Sequence, residues 1–479
     1  MDKIKNRYKN VPVTVKSSVA YAICSILQRC LSFFTLPVFV RLLTTEQYGQ
    51  VTIYQSWSGI IGIFLTLNLS YGSFSTAMVK FEKDRDGYIS SVEGICIVLS
   101  LIFLIVYLPF SNLWNQLFEL PTFIVCIMVA EIVGVTAIQL WSGKKRFEFK
   151  YKSVVIVTLL TSIVSPVFAY YLVINNEEKG YFRILGYVLV NLFIGFIFLI
   201  LNIFKGKKIF NKSYWKYALG FNVPLLAYYL SQVIFNQSDR IMISHMLGKD
   251  KAAVYGVAYS LAMVLSFVLN AINNSYVPWF YGKIKENNQH ENRKVSLFIS
   301  GLMALLLLGV IWFAPEIIKL LAGEEYLEAV YVVSPVSISL LLLFYSQLFI
   351  NVEFYFEEKK KLIWASIGAA ITNLILNWLF IPLFGFVAAA YTTLVSYMLF
   401  AFFNYVAMKK VLKEKNIKDN SYNYTALIIL FIVFGVIAIV GVCLYKYIII
   451  RICVALFVSI VLLINSSRII NVYKTIKQK

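Results

Sequence analysis

The chain has 479 residues, 60% of them hydrophobic and only 14% charged, with a formal net charge of +20. Soluble domains run about 45–50% apolar and about 25% charged, so this composition excludes a soluble fold and points to a bilayer. The positive charge does not indicate nucleic acid, because it sits in short clusters between apolar runs, the pattern that orients membrane proteins.

A hydrocarbon core about 30 Å thick needs about 20 apolar residues as helix. In chain order, predicted spans lie at 17–40, 50–74, 88–110, 121–142, 153–174 and 183–204. The series continues at 216–241, 252–280, 295–315, 327–350, 362–382 and 386–408, and closes with 424–445 and 448–467. The first run is too long for a signal-peptide core and leads into Val40-Arg41-Leu42 rather than a small-residue cleavage site, so it is read as a retained helix. Pro166, Pro224 and Pro335 fall within spans, which membrane helices tolerate where neighbours re-satisfy the freed carbonyls. Cys24, Cys30, Cys96, Cys126, Cys443 and Cys453 all lie in apolar runs without a CxxC pair. They are expected as small buried hydrophobes, and no metal or cofactor is predicted.

Fourteen spans (the predicted count) place both termini and six alternate loops on one side. That side holds 34 of the 44 Lys and Arg, the other side holds 8, and Arg29 and Arg451 lie inside spans. The asymmetry follows the positive-inside rule along the whole chain, so both termini are expected in the cytoplasm. Arg451 is close enough to a helix end to snorkel.

The outer loop after the seventh span echoes the one after the first. "RLLTTEQYGQVTIYQS" at 41–56 resembles "HMLGKDKAAVYGVAYS" at 245–260, with Leu43 matching Leu247 and Tyr48-Gly49 matching Tyr255-Gly256. An offset of six spans is even, so the halves would share one orientation about an axis along the membrane normal. The expected fold is an all-α polytopic membrane protein: two six-helix lobes, 1–205 and 206–411, with a terminal helix pair and tail at 412–479.

No catalytic constellation is visible. His245 and His290 are the only histidines, no HExxH, Walker A or GxSxG motif occurs, and "LGKDK" at 247–251 lacks the preceding glycine loop. A membrane oligosaccharide polymerase or ligase would need a substantial outer loop with catalytic carboxylates. The richest outer stretch, "AGEEYLE" at 322–328, reads as a solvated face, so the chain is not expected to be an enzyme.

Polar groups inside spans are costly and face a partner or a watery cavity. Arg29 lies midway along the first span, Glu131 midway along the fourth, and Asp239-Arg240 in the outer half of the seventh. Arginine-bearing first and seventh helices facing across a pseudo-twofold would line a cationic cavity suited to phosphate, which the guanidinium fork binds with paired hydrogen bonds. The alternative is structural, with Asp239 neutralising Arg240 and Glu131 pairing with Arg29. Glu131 is also a candidate to carry a coupling proton or sodium ion. Asn373 and Asn377 share one helical face within "NLILNWLFIPLFGFVAAAYTT", as substrate ligands or as interhelical glue. Arg41 is a cargo candidate or an interface anchor.

"RLLTTEQYG", "DRIMISHMLGKDKAAVYGVAYS" and "NLILNWLFIPLFGFVAAAYTT", in this order and spacing, resemble the polysaccharide repeat-unit flippases of Wzx type. These belong to the multidrug/oligosaccharidyl-lipid/polysaccharide exporter superfamily. The resemblance implies two lobes around a central cavity that opens alternately inward and outward. It implies a cargo of undecaprenyl-pyrophosphate-linked oligosaccharide moved from the cytoplasmic to the outer leaflet of a bacterial plasma membrane, for O-antigen, capsule or a similar polymer. It further implies cavity arginines on the pyrophosphate, with Arg29 and Arg240 the matches by location, an ion gradient, and a polymerase and chain-length complex as partners. A multidrug exporter of the same superfamily is the second reading, although cationic drugs call for carboxylates where this chain has arginine.

Overall fold

In the computed structural model, residues 13–286, 290–356, 358–417 and 421–454 are described. Among them the chain is helical, with no strand. Among the described residues twelve helices are long and apolar enough to cross a membrane, which makes this a multi-pass integral membrane protein. Helix is the expected answer, since a lone segment in lipid must satisfy its own backbone. Most of the last predicted span, 448–467, and the terminal segments used in the Lys and Arg count lie outside the described residues.

Packing divides the chain into two units, one ending at Ala253 and the other beginning at Val254. In the first, α1 (Val13–Leu42) leads to α2 (Thr45–Thr66), α3 (Phe74–Lys80), α4 (Arg85–Tyr107) and α5 (Ser111–Phe118). There follow α6 (Thr122–Phe147), α7 (Tyr151–Ile174), α8 (Lys179–Gly206), α9 (Lys212–Asn222), α10 (Leu226–Leu247) and the start of α11 (Lys249–Lys285). Helix α8 is the hub, packed on α2, α4, α6 and α7, while α2 packs on α10 and α1 lies mainly on α7. Small residues make these approaches possible. A Cβ on Gly195 would lie 2.5 Å from the Gly134 Cα of α6, and one on Gly186 would lie 2.3 Å from the Ala169 Cα of α7.

Three local departures from the predicted spans have physical causes. Helix α2 starts at Thr45 because Thr44 and Gln47 form a capping box, with Gln47 N to Thr44 Oγ1 at 3.2 Å and Thr44 N to Gln47 Oε1 at 3.1 Å. It ends at Thr66, well short of residue 74, where Leu67 and Asn68 turn left-handed at φ 46° and 53°. Its Gln, Ser, Thr and Tyr content also keeps it out of the set of strongly apolar helices. The seventh predicted span is broken by a 3-10 turn at Val223–Leu225, because Pro224 has no N–H to continue the ladder. The cysteines depart as well: Cys24 and Cys96 are buried, but Cys30, Cys443 and Cys453 lie on exposed faces.

The second unit continues α11 into α12 (His290–Trp312), α13 (Ala314–Leu321), α14 (Val330–Tyr355), α15 (Lys359–Phe384), α16 (Phe386–Glu414) and α17 (Tyr424–Cys443). Helix α14 is the central element here, packed on α12, α15, α16 and α17 around Phe344, Leu348 and Val352. Residues 448–454 are helical, and Arg451 within them does not snorkel. Its side chain is buried, with Nη1 and Nη2 reaching Glu316 at 2.8 and 2.6 Å and Nη1 reaching the Trp312 carbonyl at 2.6 Å. A carboxylate within reach is a better partner for the guanidinium than a distant interface.

The basic cluster at the end of α6 is partly neutralised. Glu148 lies 3.4, 3.1 and 3.0 Å from Lys144, Lys145 and Lys150, and Lys144 also reaches Asp86 at 2.6 Å. Burial alone would raise the Glu148 carboxyl, but the lysines outweigh it and hold it at about 2, against an ordinary 4.5. A lowered folded value means stabilisation that is present above pH 4.5 and lost as pH falls through about 2. Glu148→Gln is therefore expected to destabilise the protein at neutral pH, on the order of 2 kcal/mol, and to abolish that part of its acid sensitivity. Thermal unfolding of both forms from neutral to acid pH measures this, and parallel curves would contradict it.

Candidate functional site

The helix junctions within the two similar stretches, 41–56 and 245–260, meet in space. Each marks a helix-to-helix junction, Leu42 to Thr45 and Leu247 to Lys249, and a Cβ on Gly49 would lie 2.1 Å from the Lys249 carbonyl oxygen. Only glycine allows this backbone approach, which is the structural meaning of Tyr48-Gly49. The junction is fastened from α5. Glu119, left-handed at φ 54°, accepts from Ser244 and lies 3.4 Å from His245, and Lys249 Nζ reaches the Glu119 carbonyl at 3.3 Å.

Beside this corner stands a cation that the sequence reading did not single out. Arg183 belongs to α8, and its guanidinium lies over the rings of Phe39 at 5.0 Å, Tyr187 at 5.1 Å and Tyr48 at 5.7 Å. The spacing of Arg183 and Tyr187, one helical turn, was the available signal. Of the predicted cargo residues, Arg240 is half-buried on α10, its Nη1 donating to Gln237 Oε1 at 2.6 Å. Ser56 of α2 reaches the same oxygen at 3.4 Å. Its sequence neighbour Asp239 is buried. Arg29 is exposed midway along α1, on a helix that buries little beyond its seam with α7, and Arg41 is exposed in its last turn. In the second unit Asn373 and Asn377 are fully buried between α15 and α16. Asn377 Nδ2 donates to Asn373 Oδ1 at 3.2 Å, Asn373 Nδ2 donates to Thr393 at 3.2 Å, and Thr392 donates to Asn377.

Glu131 is held by neutral donors from two other helices. Tyr54 Oη of α2 donates to Oε2 at 2.6 Å, and Asn191 Nδ2 of α8 donates to Oε1 at 2.8 Å. Gly134 and Gly195, one turn beyond Glu131 and Asn191, bring α6 and α8 close enough for this bond. The carboxylate faces a polar furrow of about 440 Å3 between α2, α6 and α8. Ser58, Gly62 and Thr66 line it from α2 at intervals of four residues, and Gln139 and Asn191 line it from α6 and α8. Farther along α8, Asn202 Nδ2 donates to the buried Glu93 of α4 at 2.6 Å. Glu93, Tyr54, Asn191 and Asn202 escaped the sequence reading. Two asparagines eleven residues apart, three turns along one face of an apolar helix, were the clue.

A polytopic helical fold with charged side chains inside its apolar helices defines a multi-pass membrane protein that keeps polar groups within the bilayer. Over residues 14–282, more than half its length, the chain matches the family described as polysaccharide biosynthesis protein, and it belongs to that family. Residues 224–379 also match the MatE family. A protein of the Lsg locus of Haemophilus influenzae is 24% identical over 377 residues, covering 74% of this chain and 88% of the relative. The fold is similar to that of the lipid II flippase MurJ in an inward closed conformation, with a TM-score of 0.60, 16% identity and coverage of 90% of this chain and 100% of that one. It is also similar to an inward-facing multidrug resistance MATE family transporter of the MOP superfamily, with a TM-score of 0.64, 16% identity and coverage of 83% and 98%.

Proposed function

We propose that the protein is a flippase that moves undecaprenyl-pyrophosphate-linked oligosaccharide repeat units from the cytoplasmic to the outer leaflet of a bacterial plasma membrane, by alternating access, for surface polysaccharide assembly. The observation that carries this reading is the presence of guanidinium groups within the membrane-embedded helices of a polysaccharide biosynthesis family member. Arg240 is positioned by Gln237 on α10, and Arg29 stands on the exposed side of α1. A sugar-pyrophosphate head cannot cross hydrocarbon unaided, whereas arginine keeps its charge at every relevant pH and grips phosphate with paired hydrogen bonds. Asp239 neutralises Arg240, Arg41 anchors the outer end of α1 near the headgroups, and the Asn373–Asn377 network sets the α15–α16 contact. The division at 1–205, 206–411 and 412–479, cytoplasmic termini, and assembly with a polymerase and chain-length complex belong to the same proposal.

Arg240→Ala and Arg29→Ala are expected to lower export of lipid-linked repeat units at least about tenfold, since losing a charged hydrogen bond to phosphate is worth about 1.5–3 kcal/mol. Membrane insertion should be unchanged. Surface polymer and membrane-bound protein measured in a deletion strain carrying each variant test this. Wild-type export in both variants would remove the arginines from the cargo path.

A further inference from the structure

We propose that Glu131 is a proton-binding site of the first unit, reached through the polar furrow between α2, α6 and α8. The proposal deepens the flippase reading, because a site of this kind would supply its ion coupling, and the side of access rests on the topology proposed above. The furrow runs along α2 from Ser58 past Gly62 and Thr66 to Asn68 and Ser70 in the turn beyond the helix. A Cβ on Gly62 would meet nothing within 4 Å, so the furrow has room for water at mid-course. With α1 entering from the cytoplasm, the Thr66 end of α2 is its cytoplasmic end, and the furrow connects Glu131 to that side. Toward the outer end stand Tyr54 and Asn191 and then the stacked group of Arg183, Tyr48 and Tyr187.

The partners of the carboxylate favour a proton over a metal cation. Asn191 turns its NH2, not its carbonyl, toward Oε1, and an N–H donor repels a metal ion. Tyr54 now donates to Oε2. When that oxygen takes a proton it becomes a donor, and the tyrosine hydroxyl rotates to accept from it while Asn191 keeps its bond to Oε1. Glu131 thus keeps a hydrogen bond to both Tyr54 and Asn191 in either protonation state, with no change in the helices.

The surroundings add few competing charges. Helix α6 packs against α2, α4, α7 and α8. Tyr54 is the titratable group facing Glu131 from α2, and α8 brings neutral Asn191, with Arg183 two turns farther out. Helix α4 brings Glu93, which is turned to Asn202, and α7 carries no Asp, Glu, Lys, Arg or His from Ser153 to Ile174.

The test uses the full-length protein in vesicles of phosphatidylethanolamine and phosphatidylglycerol, without cargo. Infrared difference spectra between acid and alkaline medium should contain a protonated-carboxyl component that Glu131→Gln removes and Glu131→Asp retains. Replacing choline chloride by sodium chloride should leave it unchanged. Identical spectra for wild type and Glu131→Gln would overturn the proposal, as would loss of the component on adding sodium at constant pH, which would mark a sodium site instead. Because no cargo is present, the component can persist in a protein that fails to export repeat units. That pairing supports the proton site and counts against the flippase reading alone.

Discussion

Arg451→Ala is expected to destabilise the second unit by about 3–5 kcal/mol, the range for stripping one partner from a buried ion pair. Arg451 is 1% exposed, and its guanidinium makes four hydrogen bonds: two to Glu316, one to the Trp312 carbonyl and one to the Tyr445 carbonyl at 3.1 Å. These bonds hold the Glu316 carboxyl below its ordinary range. Truncation would leave the Trp312 and Tyr445 carbonyls without this donor and open a side-chain-sized void beside α12. Glu316 keeps some solvent, which places the cost in the lower half of that range. Arg451→Lys should recover little, because an ammonium cannot span two carboxylate oxygens and a carbonyl at once. Thermal unfolding of the purified protein measures the effect. An unchanged midpoint in Arg451→Ala would show that residues 448–454 contribute nothing to the stability of α12 and α13.

Gly195→Leu should be the most damaging single change in the first unit. A Cβ at this position falls 2.5 Å from the Gly134 Cα and 2.6 Å from its carbonyl carbon, so the obstacle is backbone rather than a side chain that can swing away. Overpacking of a tight contact costs about 1–3 kcal/mol and sometimes more, and here relief requires α6 and α8 to separate. Separation also breaks the Asn191–Glu131 bond one turn away, so the variant should lose both stability and the contact that orients the Glu131 carboxylate. Gly220→Leu is the control, since a Cβ there meets nothing within 4 Å. Equal yields and melting of the two variants would contradict the close crossing.

The long apolar helices and their order were legible in the sequence because a bilayer demands unbroken hydrophobic length, a requirement written residue by residue. The junction motif was legible too, and its reason is local: Thr44 and Gln47 cap α2, and Gly49 admits the Lys249 carbonyl. Helix α2 was harder to read, since a helix that packs on α4, α6, α8 and α10 need not be apolar all round, and its polar stripe hides its length from a hydropathy scan. The site was legible only in part. Glu131 stood out as a lone membrane carboxylate, but its partners Tyr54 and Asn191 lie 77 and 60 residues away in sequence. That pairing is set by glycine contacts between helices rather than by any local pattern. Arg451 was misjudged, and Arg183 was not singled out, for one reason. Position near a helix end suggests water, and only packing reveals an aromatic cluster or a buried carboxylate instead.

The central claim is translocation of a lipid-linked pyrophosphate cargo. Its most direct test places undecaprenyl-pyrophosphate-linked oligosaccharide, with the protein, in sealed vesicles and follows the headgroup with an enzyme or lectin confined to the outside. Vesicles containing the wild-type protein should expose headgroups initially held in the inner leaflet much faster than protein-free vesicles, with Arg240→Ala slowed at least about tenfold. Exposure no faster than in protein-free vesicles, with the protein folded and an ion gradient imposed, would contradict the account.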